Sequence, residues 1–293
     1  MGCASSVQCH PMISHLSPIT ALLNGAAAAG LNLALAAVAN RRRMVTRGGA
    51  VAGFLLGTLL ILFGGWFSWF EMGAFFLSSS LLSRVGRSRK SAFSAMFEKG
   101  DNRDAAQVAA NGGVGLAAAF GYALTGNVAF LAAVAAAFAE SNADTWATEL
   151  GVLSRRPPVS IIGGRPVEPG MSGGVSAQGL LAAVAGSALV ALVYVAGDSV
   201  ANGFFLNGAI VIRGLVIAAC GAFGSIIDSF LGATVQLLYR DRNTGRVTEH
   251  RTNSEGIANE RIRGIRGIDN DVVNLVSCAA AAIIAGFVST LTR

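Results

Sequence analysis

The stretch Asn127–Gly151, NVAFLAAVAAAFAESNADTWATELG, decides how this chain is read. Its first thirteen residues hold one polar member, and its next ten hold three carboxylates, Glu140, Asp144 and Glu149. An apolar run that turns acidic looks like a membrane helix with a charged end, and charge inside hydrocarbon is costly. Working outward, the 293-residue chain is 53% hydrophobic and 13% charged, whereas a soluble domain carries about 25% charged residues. Eight segments are apolar enough to consider as spans: 19–39, 48–63, 66–83, 107–123, 127–149, 174–196, 209–239 and 270–290. Segments 48–63 and 66–83 are short for spans and are separated only by Gly64 and Gly65, which predicts a tight helical hairpin. Segment 209–239 is long, and its last turns are expected to emerge into water. The expected fold is an all-α polytopic membrane bundle of about eight spans, six to eight being admissible, with a tail at 1–18 and a single integral membrane domain at 19–293.

Charge placement orients the bundle. Of 22 Lys and Arg, 20 fall in four alternate loops, between spans one and two, three and four, five and six, and seven and eight. Basic loops face the cytoplasm, or the stroma or matrix of an organelle. Loops 84–106, 150–173 and 240–269 are the long ones on that side. The net charge of +6 therefore reads as topology, and no aromatic-basic interleaving or nucleic-acid motif is present. The four cysteines, Cys3, Cys9, Cys220 and Cys278, form no C-x-x-C and no disulfide framework. Residues 1–6, MGCASS, fit a myristoylation pattern. That modification is cytosolic, whereas eight spans put the tail on the far side. Either the match is fortuitous or the weakly hydrophobic segment 19–39 does not cross; the shortness of the pattern favours the first. Gly53 and Gly57 form a G-x-x-x-G that serves packing within the chain or a homo-oligomer equally well.

The polar residues of the spans crowd one depth. Span five runs from the far side to the basic side, so its acids lie in its basic-side half. Glu140 and Asp144, four apart, share a helix face, with Ser141, Asn142, Thr145 and Thr148 around them and Glu149 below Thr145. Gln107 and Asn111 open span four at the same side. Asp228 lies in the same half of span seven, with Ser225 and Ser229 beside it and Gln236 two turns on. Asn270, Asp271 and Asn274 open span eight. Glu71 stands apart, toward the far side. Helix caps and interhelical hydrogen bonds account for some of these groups, and Asn270 before Asp271 has the pattern of an N-cap followed by a first-turn acid. They do not account for Asp144 and Asp228, since a charge at membrane depth costs about 3 kcal/mol on insertion scales. Carboxylates alone repel, and no Lys or Arg lies in the basic-side halves of these spans. An oxygen-rich set without His or Cys suits a hard ion, Mg2+ above all. The expected ligands are Asp144 and Asp228, with Glu140 or Asp271 assisting.

Two basic-side loops adjoin this cluster. Residues 168–174, EPGMSGG, sit just before span six. Glycines admit close main-chain approach, and successive amides ahead of a helix make an anion nest. Gly170, Ser172, Gly173, Gly174 and Ser176 are therefore candidate phosphate-binding residues, although Pro and Gly also mark a plain interfacial turn. Loop 97–107, FEKGDNRDAAQ, offers Lys99 and Arg103 as countercharge, and Arg165 offers a third cation. The last basic loop is polar and Gly-rich, suited to orientation and anionic lipid contact. No conventional P-loop, GxGxxG or nucleophile elbow occurs.

FEKGDNRDAAQVAANGG, AESNADTWATELG, EPGMSGGVSAQG and GSIIDSFLGATVQ follow one another here as they do in the transmembrane protein 19 / phytyl-phosphate kinase family. The chain resembles that family from about Leu31 to its C-terminus. The resemblance implies an integral membrane kinase that phosphorylates phytyl phosphate to the diphosphate on the path to tocopherol, in a plastid envelope or endomembrane. It also implies distant similarity to CTP-using dolichol kinases and CDP-lipid synthases. The expected partners are the bilayer, a prenyl monophosphate and a nucleoside triphosphate, CTP or ATP, with Mg2+ bridging the phosphates. Lys99, Asp144 and Asp228 are the expected catalytic residues. A CDP-prenyl or CDP-lipid synthase, a transporter and a lipid-binding membrane protein are the alternative readings.

Overall fold

The computed structural model describes residues 18–85, 102–253 and 255–292. Among them are seven helices: α1 (Pro18–Arg41), α2 (Arg47–Leu82), α3 (Ala105–Thr125), α4 (Ala129–Gly151), α5 (Ala177–Ala201), α6 (Gly208–Thr234) and α7 (Asn270–Leu291). Six are long and apolar enough to cross a membrane; α4, with its three carboxylates, is the exception. The protein is a polytopic, mainly helical membrane protein. Five short strands lie in the basic-side loops, where none was expected: β1 (Val159–Ser160) pairs with β2 (Gly174–Val175), and β3 (Leu238–Arg240) sits between β4 (Val247–Thr248) and β5 (Glu260–Arg263).

α2 contains the expected hairpin. Gly65 breaks it with φ 81° and ψ −179°, a backbone state that a side chain would strain. Its two ends meet at one residue: the Arg103 carbonyl accepts from the Thr46 amide at 2.9 Å, and the Arg103 guanidinium reaches Ser80 Oγ at 3.5 Å. The two arms are therefore antiparallel. The second glycine of the G-x-x-x-G pair, Gly57, lies against Asn32 of α1, while Gly53 meets nothing within 4 Å. Gly57 thus serves packing within the chain. The end of α6 also differs from expectation. The helix stops at Thr234, and the following residues turn into β3 instead of continuing as a helix into water.

α4 is the centre of the bundle, packed against α2, α3, α5, α6 and α7. Its run from Ala132 to Ala143 is buried throughout. The reason is volume. Alanines on α4 meet glycines on its neighbours: a Cβ on Gly221 of α6 would strike Ala139, and one on Gly286 of α7 would touch Ala133. Small facing residues let backbones approach closely where lipid provides no hydrophobic drive between helices. Asn142, 0% exposed, locks this centre to both sides. Its Oδ1 accepts from Ser78 Oγ at 2.9 Å and Ser79 Oγ at 3.0 Å, and its Nδ2 donates to the Gly186 carbonyl at 2.8 Å. Replacing it with alanine would remove all three of these buried bonds. Asn142→Ala is expected to destabilise the bundle by about 1–3 kcal/mol, measured as a lowered unfolding midpoint in detergent.

Candidate functional site

A cavity of about 440 Å3 opens at the basic-side end of the bundle. α4 contributes Asp144, Thr145 and Glu149 to its wall; α6 contributes Ser225, Asp228 and Ser229, with Gln236 just beyond; α7 contributes Asn270, Asp271 and Asn274; α3 contributes Gln107 and Asn111. Three helices begin here, each with a side-chain cap. Asp104 accepts from the Gln107 amide, Ser176 from the Gly179 amide and Asp269 from the Val272 amide. Asn270 is therefore the first residue inside α7, and Asp269 before it is the N-cap. The positive ends of three helix dipoles converge on one space. Against them the lining carries six carboxylates, Asp144, Glu149, Asp228, Glu249, Asp269 and Asp271, and one guanidinium, Arg103.

The floor explains what the deepest acids do. Asp144 and Asp228 face the same cavity from different helices and lie close enough to interact electrostatically. Ser277 of α7 donates to Asp228 Oδ2 at 3.3 Å. Glu140 does not line the cavity. It lies one turn deeper, 1% exposed, where its Oε2 accepts from the Cys278 thiol at 2.7 Å while its Oε1 has no partner. Among the described residues, no three His, Cys, Asp or Glu side chains gather tightly enough to hold an ion unaided.

The Gly-rich loop forms the roof. Gly170, Ser172, Gly173, Gly174 and Ser176 all line the cavity. Gly173 has φ 83° and lies against Ala233, leaving no room for a Cβ, and its carbonyl accepts from the Ile161 amide at 2.9 Å. The Gly174 amide donates to the Met171 carbonyl at 2.9 Å, closing a turn, so it is not one of the free amides of a nest. Two residues that sequence reasoning did not single out hold this roof. Arg263 of β5 donates through Nη2 to the carbonyls of Ser172 at 3.3 Å and Gly232 at 2.8 Å, and burial lowers its pKa from the usual guanidinium value. Glu249, one residue beyond β4, accepts through Oε1 from Ser172 Oγ at 3.1 Å and Gln236 Nε2 at 2.7 Å.

The predicted cations divide. Arg103 lines the cavity with its guanidinium stacked 5.1 Å from the centre of the Phe75 ring and 5.4 Å from that of Phe76. Burial lowers its pKa to about 10, with Glu149 acting in the opposite direction, so it stays charged at neutral pH. Arg165 is exposed on the loop before the roof and is not part of the lining. Lys99 lies outside the described residues. Of the supporting polar residues, Asn111, Thr145, Glu149, Gln236, Asn270 and Asn274 line the cavity, whereas Asn142 is structural and lies beneath it. Glu149 accepts a hydrogen bond from Ser83 Oγ at 2.5 Å, which ties α4 to the end of the hairpin.

Residues 30–282 match the family described as integral membrane protein DUF92. The chain belongs to this family. This DUF92 protein is 32% identical over 275 residues to Protein PGR of Arabidopsis thaliana, covering 85% of this chain and 90% of that one. It is 31% identical over 207 residues to an uncharacterized membrane protein of Methanocaldococcus jannaschii, covering 68% of this chain and 78% of that one. No solved structure matches it. The matched span of this DUF92 protein contains every residue of the cavity lining.

The roof gives a direct test of the cavity's construction. Gly173→Ala places a side chain at positive φ, a cost of about 1–3 kcal/mol, and against the Ala233 main chain. Hydrogen exchange at the Ile161 and Gly174 amides is expected to quicken about tenfold or more, each 1.4 kcal/mol of lost protection being tenfold. Mass spectrometry of a peptide spanning 157–175 would read it.

Proposed function

We propose that this DUF92 protein is an Mg2+-dependent membrane kinase that transfers a phosphoryl group from a nucleoside triphosphate, CTP or ATP, to a prenyl monophosphate such as phytyl phosphate. The supporting observation is the cavity itself. It lies at the water-facing end of a membrane bundle, walled by six carboxylates, one guanidinium and three helix N-termini. Water-borne and membrane-borne substrates can meet only at such a rim. Phosphates and carboxylates repel, so a polyphosphate enters this wall only with a cation between them.

The donor chemistry fits Mg2+. Among the described residues, the lining offers oxygen ligands and no His or Cys. Mg2+ commonly keeps several waters and takes one or two carboxylates together with substrate phosphates, so a pair of acids suffices and a closed protein cage is not required. Asp144 and Asp228 would hold it, and Asp271 is the next acid on the wall. Glu140, engaged by Cys278 below, would support Asp144 from the same helix face. Bound there, Mg2+ would neutralise charge on the donor phosphates.

The remaining work falls to the chain. Arg103, held flat by two phenylalanines, would supply fixed positive charge, with Lys99 as a second source. The α5 N-terminus and the main chain of the roof would receive phosphate oxygens. An acceptor phosphate is largely ionised at pH 7, its second pKa being about 6. One of its oxygens attacks the γ-phosphorus, the bond from that phosphorus to the β–γ bridging oxygen breaks, and the nucleoside diphosphate leaves with that oxygen. The transfer is proton-neutral, so no general base is needed, in keeping with a lining whose described residues include no histidine. The nucleotide would come from the basic side, the cytosol for an endomembrane or the stroma for a plastid envelope.

Purified protein with Mg2+, phytyl or geranylgeranyl monophosphate, and CTP or ATP is expected to yield the lipid diphosphate by mass. A nucleotide-linked lipid with release of pyrophosphate would instead assign a CDP-lipid synthase, and neither product would rule out both. Asp144→Asn is expected to lower turnover about 100-fold or more, and EDTA to abolish it until Mg2+ is restored.

A further inference from the structure

The roof of the cavity already holds an anion, and it belongs to the chain. Glu249 reaches in from the extramembrane sheet, and one of its oxygens, Oε1, takes both the Ser172 hydroxyl at 3.1 Å and the Gln236 amide at 2.7 Å. Both donors line the cavity, and Gln236 is 1% exposed. Both are firmly placed. Arg263 grips the Ser172 carbonyl and the Gly232 carbonyl behind them, and the Gln236 main-chain N–H donates to the Leu231 carbonyl near the end of α6. A carboxylate oxygen and a non-bridging phosphate oxygen are equivalent acceptors for such donors. Glu249 is also an uncomfortable occupant. It adds a sixth carboxylate to the lining, and Asp228 lies close enough to feel its charge. It is the only one of the six carried by the segment between α6 and α7 at a distance from either helix.

We propose that Ser172 Oγ and Gln236 Nε2 form an oxyanion subsite for a phosphate group of the incoming nucleotide, and that the Glu249 carboxylate fills it until the nucleotide displaces it. This rests on the reading of the cavity as a phosphate-handling site. It makes Gln236 a ligand residue, and it makes the sheet β3–β5 a plug seated by the same hydrogen bonds the substrate uses. The apparent dissociation constant for phosphate then equals the intrinsic one divided by the fraction of molecules with the subsite vacated. Removing the carboxylate tightens binding, while removing either donor weakens it.

Magnesium pyrophosphate is the probe, titrated by calorimetry into the full chain in nanodiscs, with unfolding midpoints confirming that each variant is folded. Glu249→Ala is expected to lower Kd about tenfold, and Gln236→Leu and Ser172→Ala to raise it about tenfold. Should Glu249→Ala fail to fold, Glu249→Gln is expected to shift Kd in the same direction by about threefold or more. Unchanged or weaker pyrophosphate binding in the folded Glu249 variant, or no binding by any form, overturns the subsite. The two readings separate cleanly. A protein that binds pyrophosphate in this pattern but makes no lipid diphosphate loses the kinase and keeps the subsite. An active kinase whose Kd ignores Glu249 loses the subsite alone.

Discussion

The structure depends on how closely helices can approach α4. A carboxylate at membrane depth is tolerable only when protein and water surround it and lipid does not. α4 meets that condition by being thin. Its alanines face glycines on its neighbours, five other helices close around it, and the run Ala132–Ala143 is shut off from the bilayer. An oily helix that turns acidic is thereby accommodated. The oily part is protein core, and the acidic part is where the surrounding helices part at the water-facing end.

That geometry dictates what sits opposite the acids. With α4 and α6 running toward the basic side, their neighbours α3, α5 and α7 run the other way and begin there. Their N-termini bring partial positive charge, worth about 0.3–1 kcal/mol each toward a nearby anion, to the depth at which α4 and α6 bring Asp144 and Asp228. The alternation of helix direction thus builds a site with acidic side chains on some walls and anion-seeking helix ends on others. A metal with polyphosphate needs both kinds of wall. The hairpin in α2 completes the enclosure by returning Ser83 to the same end, where it bonds Glu149.

Much of this was legible in the sequence, for reasons of chemistry. Six of the seven described helices follow from hydropathy, and the Gly64–Gly65 break predicts the hairpin. The depth of Asp144, Asp228, Asn111 and Asn274 follows from counting along helices whose direction is known. The fold places all four on the lining of one cavity. What escaped notice depends on contacts between remote parts of the chain. Strands of two to four residues in the last basic loop are too short to show alternation, so Glu249 and Arg263 read as ordinary loop charges. Asn142 and Glu140 stand among the other polar residues of α4 in sequence. Which of them face the cavity and which face Ser79 or Cys278 is decided by the angle of the neighbouring helices. Arg165 stands beside the Gly-rich loop in sequence, but the Val159–Pro166 bridge and the Ser160 amide bond to its carbonyl hold it on an exposed turn.

The division between membrane and loop has a mechanical side. Groups on α4, α6 and α7 are fixed by packing over the length of a span, so the carboxylates cannot easily retreat from one another. Groups on the roof are held by local bonds alone: a two-residue strand pair, main-chain bonds at Gly173 and Gly174, and the side chains of one arginine and one glutamate. Local opening free energy falls with the number of buried contacts and hydrogen bonds that must break, so the roof is the part able to yield. On the proposed reading, the nucleotide enters from water where the roof yields, and its cation offsets the charge of the acidic floor. The same asymmetry fits the placement of Glu140 and Asp228, buried on helices, and of Gly170 and Gly173, with positive φ on the loop above them. Strain and mobility are affordable only where water can satisfy the backbone, and fixed charge is useful only where it cannot be screened.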